Sequence, residues 1–444
     1  MENRIKTVIM AGGRGTRIQP LASDIPKPMI PIDGKPVLER EILSLRDQGF
    51  TDFIITVSHL GSVIMNYFGN GSKFDVNIEY YNEEIPLGNA GALFKLREKL
   101  TNPFLLLNAD AIFDVDFNRF VAFHRSHKGW VTIFTHPNSH PYDSGLIVAD
   151  KNGMVKKWLT KEEKRPDFYR NRVNAGLHII DPIILDSLDG SLIGTRDQKT
   201  GEVIKIDLDR QLLRPLSGTG KMFCYDSPEY VKDMGTPERF FQVEKDFIAG
   251  KVEAKNLSRK QKAVFLDRDG TINVYKGFLT SLKDFELIPG VAKAIKAINE
   301  SGYLSIVVTN QPVVARGDIT WKELEEIHNK METELGKAGA YVDGIYFCPH
   351  HPHKGYKGEI TSLKIDCSCR KPKPGMLLNA AQDFNIDLNQ SFMIGDSEND
   401  VKAGIAAGCM SILVNGIGSD HKDGTYGQID TVASVEEFVE KYLV

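Results

Sequence analysis

Three groups of residues in this chain have types and spacing that can do chemistry or hold a metal. Ala263-Val264-Phe265-Leu266-Asp267-Arg268-Asp269-Gly270-Thr271 is an apolar run ending in two carboxylates two residues apart. The strand period of two places both on one side of its carboxyl end, where they can share one Mg²⁺ and one phosphate. A second apolar run, Thr7–Met10, leads into Ala11-Gly12-Gly13-Arg14-Gly15-Thr16-Arg17. Its glycines let main-chain N–H groups turn toward an anion with no Cβ in the way, the makings of a phosphate cradle. Ile18 stands where a dinucleotide fingerprint has its third glycine, and the Gly-Lys-Ser/Thr of a Walker loop is absent. Downstream, Pro26 and Pro28 flank Lys27 and restrict the backbone to extended conformations, which holds that ammonium in a fixed place. The third group is Cys348-Pro349-His350 with Cys367-Ser368-Cys369, three thiols and an imidazole that can close a tetrahedral Zn²⁺ site, with His351 and His353 as competing ligands.

These residues need rigid strand ends to hold them, and the chain supplies such ends twice. Short β-branched runs alternate with helical patterns in both halves: Thr7–Met10, Phe53–Val57, Phe104–Leu107, Val131–Phe134 and Leu177–Ile180, then Ala263–Leu266, Leu304–Thr309 and Phe392–Ile394. That alternation predicts two α/β units with largely parallel sheets. A helical stretch from Pro237 to Ile248 precedes the polar, charged residues 251–260, which read as a linker between domains at 1–250 and 261–444. With 55 Lys and Arg against 59 Asp and Glu, the net charge of −4 offers no footprint for nucleic acid or an anionic membrane. Five cysteines, an odd number, fit a reducing compartment better than a disulfide framework. The first residues carry no signal-peptide pattern, and no apolar run is long enough to span a bilayer, so the expectation is a cytoplasmic protein. Homo-oligomerisation is compatible with this composition.

From Gly12 to Pro36 the sequence resembles the signature of sugar-1-phosphate nucleotidyltransferases, through Gly12-Gly13-Arg14-Gly15-Thr16-Arg17, then Pro26-Lys27-Pro28-Met29-Ile30-Pro31, then Lys35-Pro36. The resemblance implies that Gly12, Gly13, Gly15, Thr16 and Arg17 hold the nucleotide phosphates, while Lys27 stabilises charge at the α-phosphorus as a sugar phosphate displaces pyrophosphate. It further implies Mg²⁺ held by Asp110, which ends the run Phe104–Asp110, and by Asp233, which precedes Gly235-Thr236. Ala109 stands where the family usually has Gly, and Asp116 reads as the N-cap of a helix from Phe117. Glu84, Gly88 and Asn89 lie in a segment that looks like the base-and-ribose site of guanylyltransferases acting on mannose-type 1-phosphates, which favours GTP. Asn174 and Gly176 resemble the contact to sugar hydroxyls, and either Lys161 or Lys164 supplies the sugar-phosphate lysine.

Residues 262–444 resemble the haloacid-dehalogenase-like phosphatases through four spaced motifs: Asp267-Arg268-Asp269, Thr309-Asn310, Arg370-Lys371 and Gly395-Asp396. The resemblance implies Asp267 as nucleophile and Asp269 as acid and base, with Thr309, Asn310 and Lys371 on the phosphoryl oxygens. Mg²⁺ would lie on Asp267, Asp396 and the carbonyl of Asp269, with Asp400 further out. The zinc-loop arrangement resembles heptose bisphosphate and histidinol-phosphate phosphatases, favours His350 as the imidazole, and implies a structural Zn²⁺ that fixes the loop presenting Arg370 and Lys371. Pro312-Val313 and Ser397 depart from the usual Ser-Gly and Lys.

The fold expected is therefore a Rossmann-like nucleotidyltransferase with a mixed, mostly parallel sheet, followed by a haloacid-dehalogenase-like Rossmannoid domain with a zinc-binding loop. A phosphatase that leaves a sugar 1-phosphate makes what the first domain consumes. The expected activity is removal of the 7-phosphate from D-glycero-α-D-manno-heptose 1,7-bisphosphate and transfer of GMP from GTP to the 1-phosphate. GDP is preferred because the adenylylating enzyme of the β-heptose route belongs to a different fold. The alternative is a hexose-1-phosphate nucleotidyltransferase fused to a phosphatase of different, histidinol-phosphate-like substrate. A binding protein on inactive copies of these folds is disfavoured by the intact Lys27, Asp110, Asp233, Asp267, Asp269, Lys371 and Asp396.

Overall fold

The computed structural model describes residues 5–13, 18, 24–197, 199–414 and 430–443. The chain divides into two compact units. The first comprises residues up to Thr135, Ile147–Leu159 and Asn174–Glu253; the second comprises Ala254 onward together with His136–Leu146 and Thr160–Val173.

In the first unit the strands Phe104–Asn108, Thr7–Met10, Asp52–Val57 and Asn77–Asn82 lie side by side and parallel within a nine-stranded mixed sheet. Val173–Ile180 runs antiparallel to Phe104–Asn108 and begins the mixed flank. Alternation along each strand buries both faces. Ile9, Ile55, Leu105 and Leu107 enter one core, and Val8, Ile54, Phe104 and Leu106 enter the other. A separate two-stranded ribbon pairs Ala111–Asp114 with Tyr230–Asp233.

The second unit carries a six-stranded parallel sheet. Its spatial order is Gly344–Cys348, Leu304–Asn310, Ala263–Leu266, Phe392–Gly395, Met410–Val414, Asp430–Val432. Taken in chain order this is 3-2-1-4-5-6, the doubly wound arrangement whose switch point lies beside its first strand, at the carboxyl ends. Asp267, Thr309 and Asp396 all sit at that edge.

The segments His136–Leu146 and Thr160–Val173 are fastened inside the second unit. Arg172 pairs with Glu332 at 3.4 Å, both side chains 3% exposed, and Glu332 also accepts the Asn171 N–H at 2.6 Å. Thr333 accepts from the Tyr169 N–H at 2.9 Å and donates to its carbonyl at 3.1 Å. Residues 251–260, expected as a linker, are packed turns: Val252, Lys255, Asn256 and Leu257 are buried, and Lys255 pairs with the buried Asp343 at 3.4 Å. Glu253, Arg259 and Lys260 are exposed, so the polarity of this stretch is partly solvated and partly a buried ion pair. No helix among the described residues is long and apolar enough to cross a membrane.

Candidate active sites

In the first unit the ribbon register sets Asp233 opposite Ala111, the neighbour of Asp110, and the Met234 N–H donates to the Asp110 carbonyl at 2.9 Å. Two carboxylates more than 120 residues apart in sequence are thereby neighbours. Lys27, on the short helix Lys27–Met29, forms an ion pair with Asp110. Arg239, near the start of the helix Pro237–Ile248, donates to both Asp233 oxygens at 2.9 and 2.8 Å. Burial works against the Asp233 carboxylate, but Arg239, the Gly235 N–H and the charge of Lys27 hold it below its ordinary range.

Behind this group lies Glu41, 2% exposed, with one oxygen accepting the Ala111 N–H at 3.3 Å and the other without a partner. Burial, and then the charge of Asp110, push it well above the usual carboxyl range. Neither Glu41 nor Arg239 was visible as a site residue in the sequence, because each faces the site through tertiary packing. Their only signal was polarity at a helical position: Glu41 between the buried Leu38 and Ile42, and Arg239 in the first turn after Thr236-Pro237.

Gly15, Thr16 and Arg17 lie outside the described residues. Gly12 packs so closely on Glu83 that a Cβ would come within 2.9 Å of its carboxyl. Glu84, Gly88 and Asn89 are exposed, and the Asn89 side-chain oxygen Oδ1 accepts the Leu208 N–H at 2.7 Å. Gly88 has φ +87° and lies against Ile206, whose carbonyl a Cβ would meet at 2.3 Å. Asn174 accepts the Gly176 N–H at 3.2 Å, and Gly176 packs near Asn108. Lys161 and Lys164 are both exposed, in the segment grouped with the second unit. Asp116 caps its helix through the Arg119 N–H at 3.1 Å.

In the second unit Lys371 ties the centre together. Its Nζ lies 2.8 Å from Asp267 Oδ1 and 2.6 Å from Asp400 Oδ1, and donates to the Val308 carbonyl at 2.7 Å. Asn310 spends its whole carboxamide on the Lys371 backbone, accepting the N–H at 3.0 Å and donating to the carbonyl at 3.1 Å. That side chain positions the lysine. Asp267, Asp396 and Asp400 each present an oxygen within 4.8 Å of the others. Burial pushes Asp267 up to about 8; Asp400 and Asp396 add to this, and Lys371 opposes it. Three clustered carboxylate groups are the oxygen donors a divalent cation takes. The space fits as well, since a Cβ on Gly270 would lie 2.0 Å from Asp396 Oδ2.

Asp269 is gripped from three sides. Arg268 donates to its two oxygens at 2.9 Å each, Asn273 at 3.1 Å and Gln311 at 2.8 Å. Ser397 caps the following helix, donating to Asp400 Oδ2 at 2.6 Å.

Cys348, His350, Cys367 and Cys369 converge, while the His351 ring turns to the His353 backbone. Their Sγ and Nδ1 atoms lie 3.2–3.6 Å apart. A tetrahedron with Zn–S of about 2.3 Å and Zn–N of about 2.1 Å has edges of about 3.6–3.8 Å, so the four donors fit that ion after slight expansion. Hydrogen bonding from Cys348, then Cys367 and His350, holds Cys369 down to about 5 despite burial, so the cluster already favours a thiolate. Arg370 donates to the His350 carbonyl at 3.3 Å, which links the cluster to the Arg370-Lys371 pair. Cys224 and Cys409 are buried elsewhere.

A nucleotidyltransferase fold and a haloacid-dehalogenase-type phosphatase centre thus stand in one chain, which is a bifunctional enzyme. Residues 6–249, more than half of the chain, match the nucleotidyl transferase family, to which it belongs. Residues 368–436 match the HAD-hydrolase-like family. The D-glycero-β-D-manno-heptose-1,7-bisphosphate 7-phosphatase of Yersinia pestis is 41% identical over 151 residues, 34% of this chain and 78% of that protein. The second half therefore belongs to that phosphatase family. Among solved structures, HddC from Yersinia pseudotuberculosis is 23% identical, covering 55% of this chain and 99% of its own, with a TM-score of 0.45. The D,D-heptose 1,7-bisphosphate phosphatase of B. bronchiseptica, complexed with magnesium and phosphate, is 32% identical, covering 41% of this chain and 97% of its own, with a TM-score of 0.36.

Proposed function

We propose that the second half removes the 7-phosphate from D-glycero-α-D-manno-heptose 1,7-bisphosphate, and that the first half transfers GMP from GTP to the resulting 1-phosphate. The observation that carries this reading is the fusion itself: a phosphatase 41% identical to a heptose bisphosphate phosphatase shares a chain with a nucleotidyl transferase, the class of enzyme that consumes a sugar 1-phosphate. The relative is named for the β anomer. The α anomer is proposed here because the β route is served by an adenylylating enzyme of another fold, whereas residues 6–249 belong to the nucleotidyl transferase family.

In the phosphatase half, a carboxylate oxygen of Asp267 bonds to phosphorus as the bond to the sugar oxygen breaks, and Asp269 gives that oxygen its proton. Water then attacks the aspartyl phosphate and returns a proton to Asp269. Asp267, Asp396 and the Asp269 carbonyl would hold Mg²⁺, which offsets the repulsion between carboxylate and phosphate. Thr309, Lys371 and Arg370 receive the phosphoryl oxygens and the rest of the ester. Zn²⁺ on Cys348, His350, Cys367 and Cys369 is structural, because four protein donors leave no open position. In the other half, the 1-phosphate oxygen displaces pyrophosphate at the α-phosphorus. The Gly12–Arg17 loop holds the triphosphate, and Lys27 offsets the developing charge. Asp110 and Asp233 would hold Mg²⁺, with Lys27 and Arg239 turning from them to phosphate. Glu84, Gly88 and Asn89 take the nucleoside, while Asn174 and Gly176 take the sugar.

Phosphorus NMR of the enzyme with α-heptose 1,7-bisphosphate, Mg²⁺ and GTP tests this. Inorganic phosphate, pyrophosphate and a GDP-sugar are expected. Asp267→Asn should lose all three products, because the 1-phosphate is then never made, whereas Lys27→Ala should lose only the latter two. Absence of phosphate release while a hexose 1-phosphate is still nucleotidylated would overturn the heptose assignment.

A further inference from the structure

Gln311 directly follows the strand Leu304–Asn310 and is 2% exposed. Its Nε2 carries two hydrogens and uses both, one toward Asp269 Oδ2 at 2.8 Å and one toward Thr309 Oγ1 at 2.8 Å. Its Oε1 accepts from Arg268 Nη2 at 3.0 Å. A guanidinium can only donate, so the amide oxygen must face Arg268 and the nitrogen must face Asp269 and Thr309. The buried Arg268, with no exposed surface, thus fixes which way the amide points.

Two consequences follow for the phosphatase centre. Gln311 shares Asp269 Oδ2 with Arg268 Nη2, which donates to it at 2.9 Å, while Asn273 and Arg268 Nε donate to Oδ1, each at 3.1 Å. Thr309 Oγ1 is an acceptor toward Gln311, so its single hydroxyl proton is left to donate elsewhere.

We propose that Gln311 is a positioning residue of the phosphatase reaction, aiming the Asp269 carboxyl for proton transfer to the leaving alcohol. The inference rests on the reading of Asp269 as acid and base. In the step concerned, the bond from phosphorus to the alcohol oxygen breaks as the bond to Asp267 forms, and the Asp269 proton passes to that oxygen. An alkyl alcohol needs that proton, whereas p-nitrophenolate leaves without one.

The full-length chain carrying Gln311→Leu, and separately Gln311→Met, is compared with wild type on two substrates. One is whichever of heptose 1,7-bisphosphate and a hexose 1,6-bisphosphate the wild type turns over faster; the other is p-nitrophenyl phosphate, read as the p-nitrophenol burst. Turnover of the alkyl ester should fall about 100-fold, the scale of general acid catalysis, with KM within about threefold and the burst rate within about fivefold. Equal losses on both substrates, or no loss on the alkyl ester, overturn the proposal. Asp269→Asn serves as the reference. If it shows the same leaving-group selectivity and the Gln311 variants do not, only the role of Gln311 falls; if it shows none, the acid assignment falls with it.

Discussion

Replacing Gly270 with alanine should silence the phosphatase while sparing the nucleotidyltransferase. Gly270 has φ +86°, where a side chain is strained, and an added Cβ would sit 2.0 Å from Asp396 Oδ2. The backbone strain costs about 1–3 kcal/mol. The contact is the larger matter. Ordinary packing begins near 3.4 Å, so the Asp396 carboxylate must retreat by about 1.4 Å or the turn carrying Asp269 must move instead. A displacement of about 1 Å at a reacting centre lowers turnover by about 100-fold. The assay is phosphate release against Mg²⁺ concentration, with pyrophosphate release from GTP and a sugar 1-phosphate measured on the same preparation. The G270A chain should lose phosphatase turnover by at least about 100-fold, require more Mg²⁺, and keep nucleotidyl transfer within about twofold. Phosphatase activity and Mg²⁺ midpoint both near wild type would refute the claim that Asp396 and Gly270 shape one cation site.

Further outcomes can be measured independently. Cys369→Ser removes the donor whose thiol is held down to about 5, and metal analysis should show bound zinc lost along with phosphatase activity. Glu332→Ala removes the buried carboxylate that faces Arg172 and accepts the Asn171 N–H, and denaturant unfolding should report a loss of about 3–5 kcal/mol. Burial holds His178 down to about 3, and neither ring nitrogen has a partner. The unfolded chain therefore takes up a proton near pH 6.5 that the folded chain refuses. His178 contributes its full stability above that pH and loses it as the pH falls from 6.5 toward 3, by about 1.4 kcal/mol per unit. His178→Leu should flatten the pH dependence of the melting temperature over that range.

Residues that touch chemistry at the end of a strand were legible in the sequence. Asp267 and Asp269 are placed by a four-residue apolar run and a glycine turn, and the run Phe104–Asn108 delivers Asp110 in the same way. Several strands escaped notice. Gly344–Cys348, for instance, has an intermediate exposure pattern across its middle, and its pairing with Leu304–Asn310 defines it more than its own residues do.

The sequence by itself determined the strand-end carboxylates, the glycine turns beside them, and the Cys-x-His and Cys-x-Cys donors. These follow from dihedral limits and side-chain chemistry acting within a few residues. Only the tertiary structure decided that Asp233 stands beside Asp110 under Arg239, that Lys371 joins Asp267 to Asp400, and that Gln311 bridges Thr309 and Asp269. It also placed Thr160–Val173 with the second unit rather than with the sheet strand that follows it. Each of these depends on strand register and on burial of polar atoms, which must find partners wherever the fold brings them, at sequence separations that local chain geometry does not control.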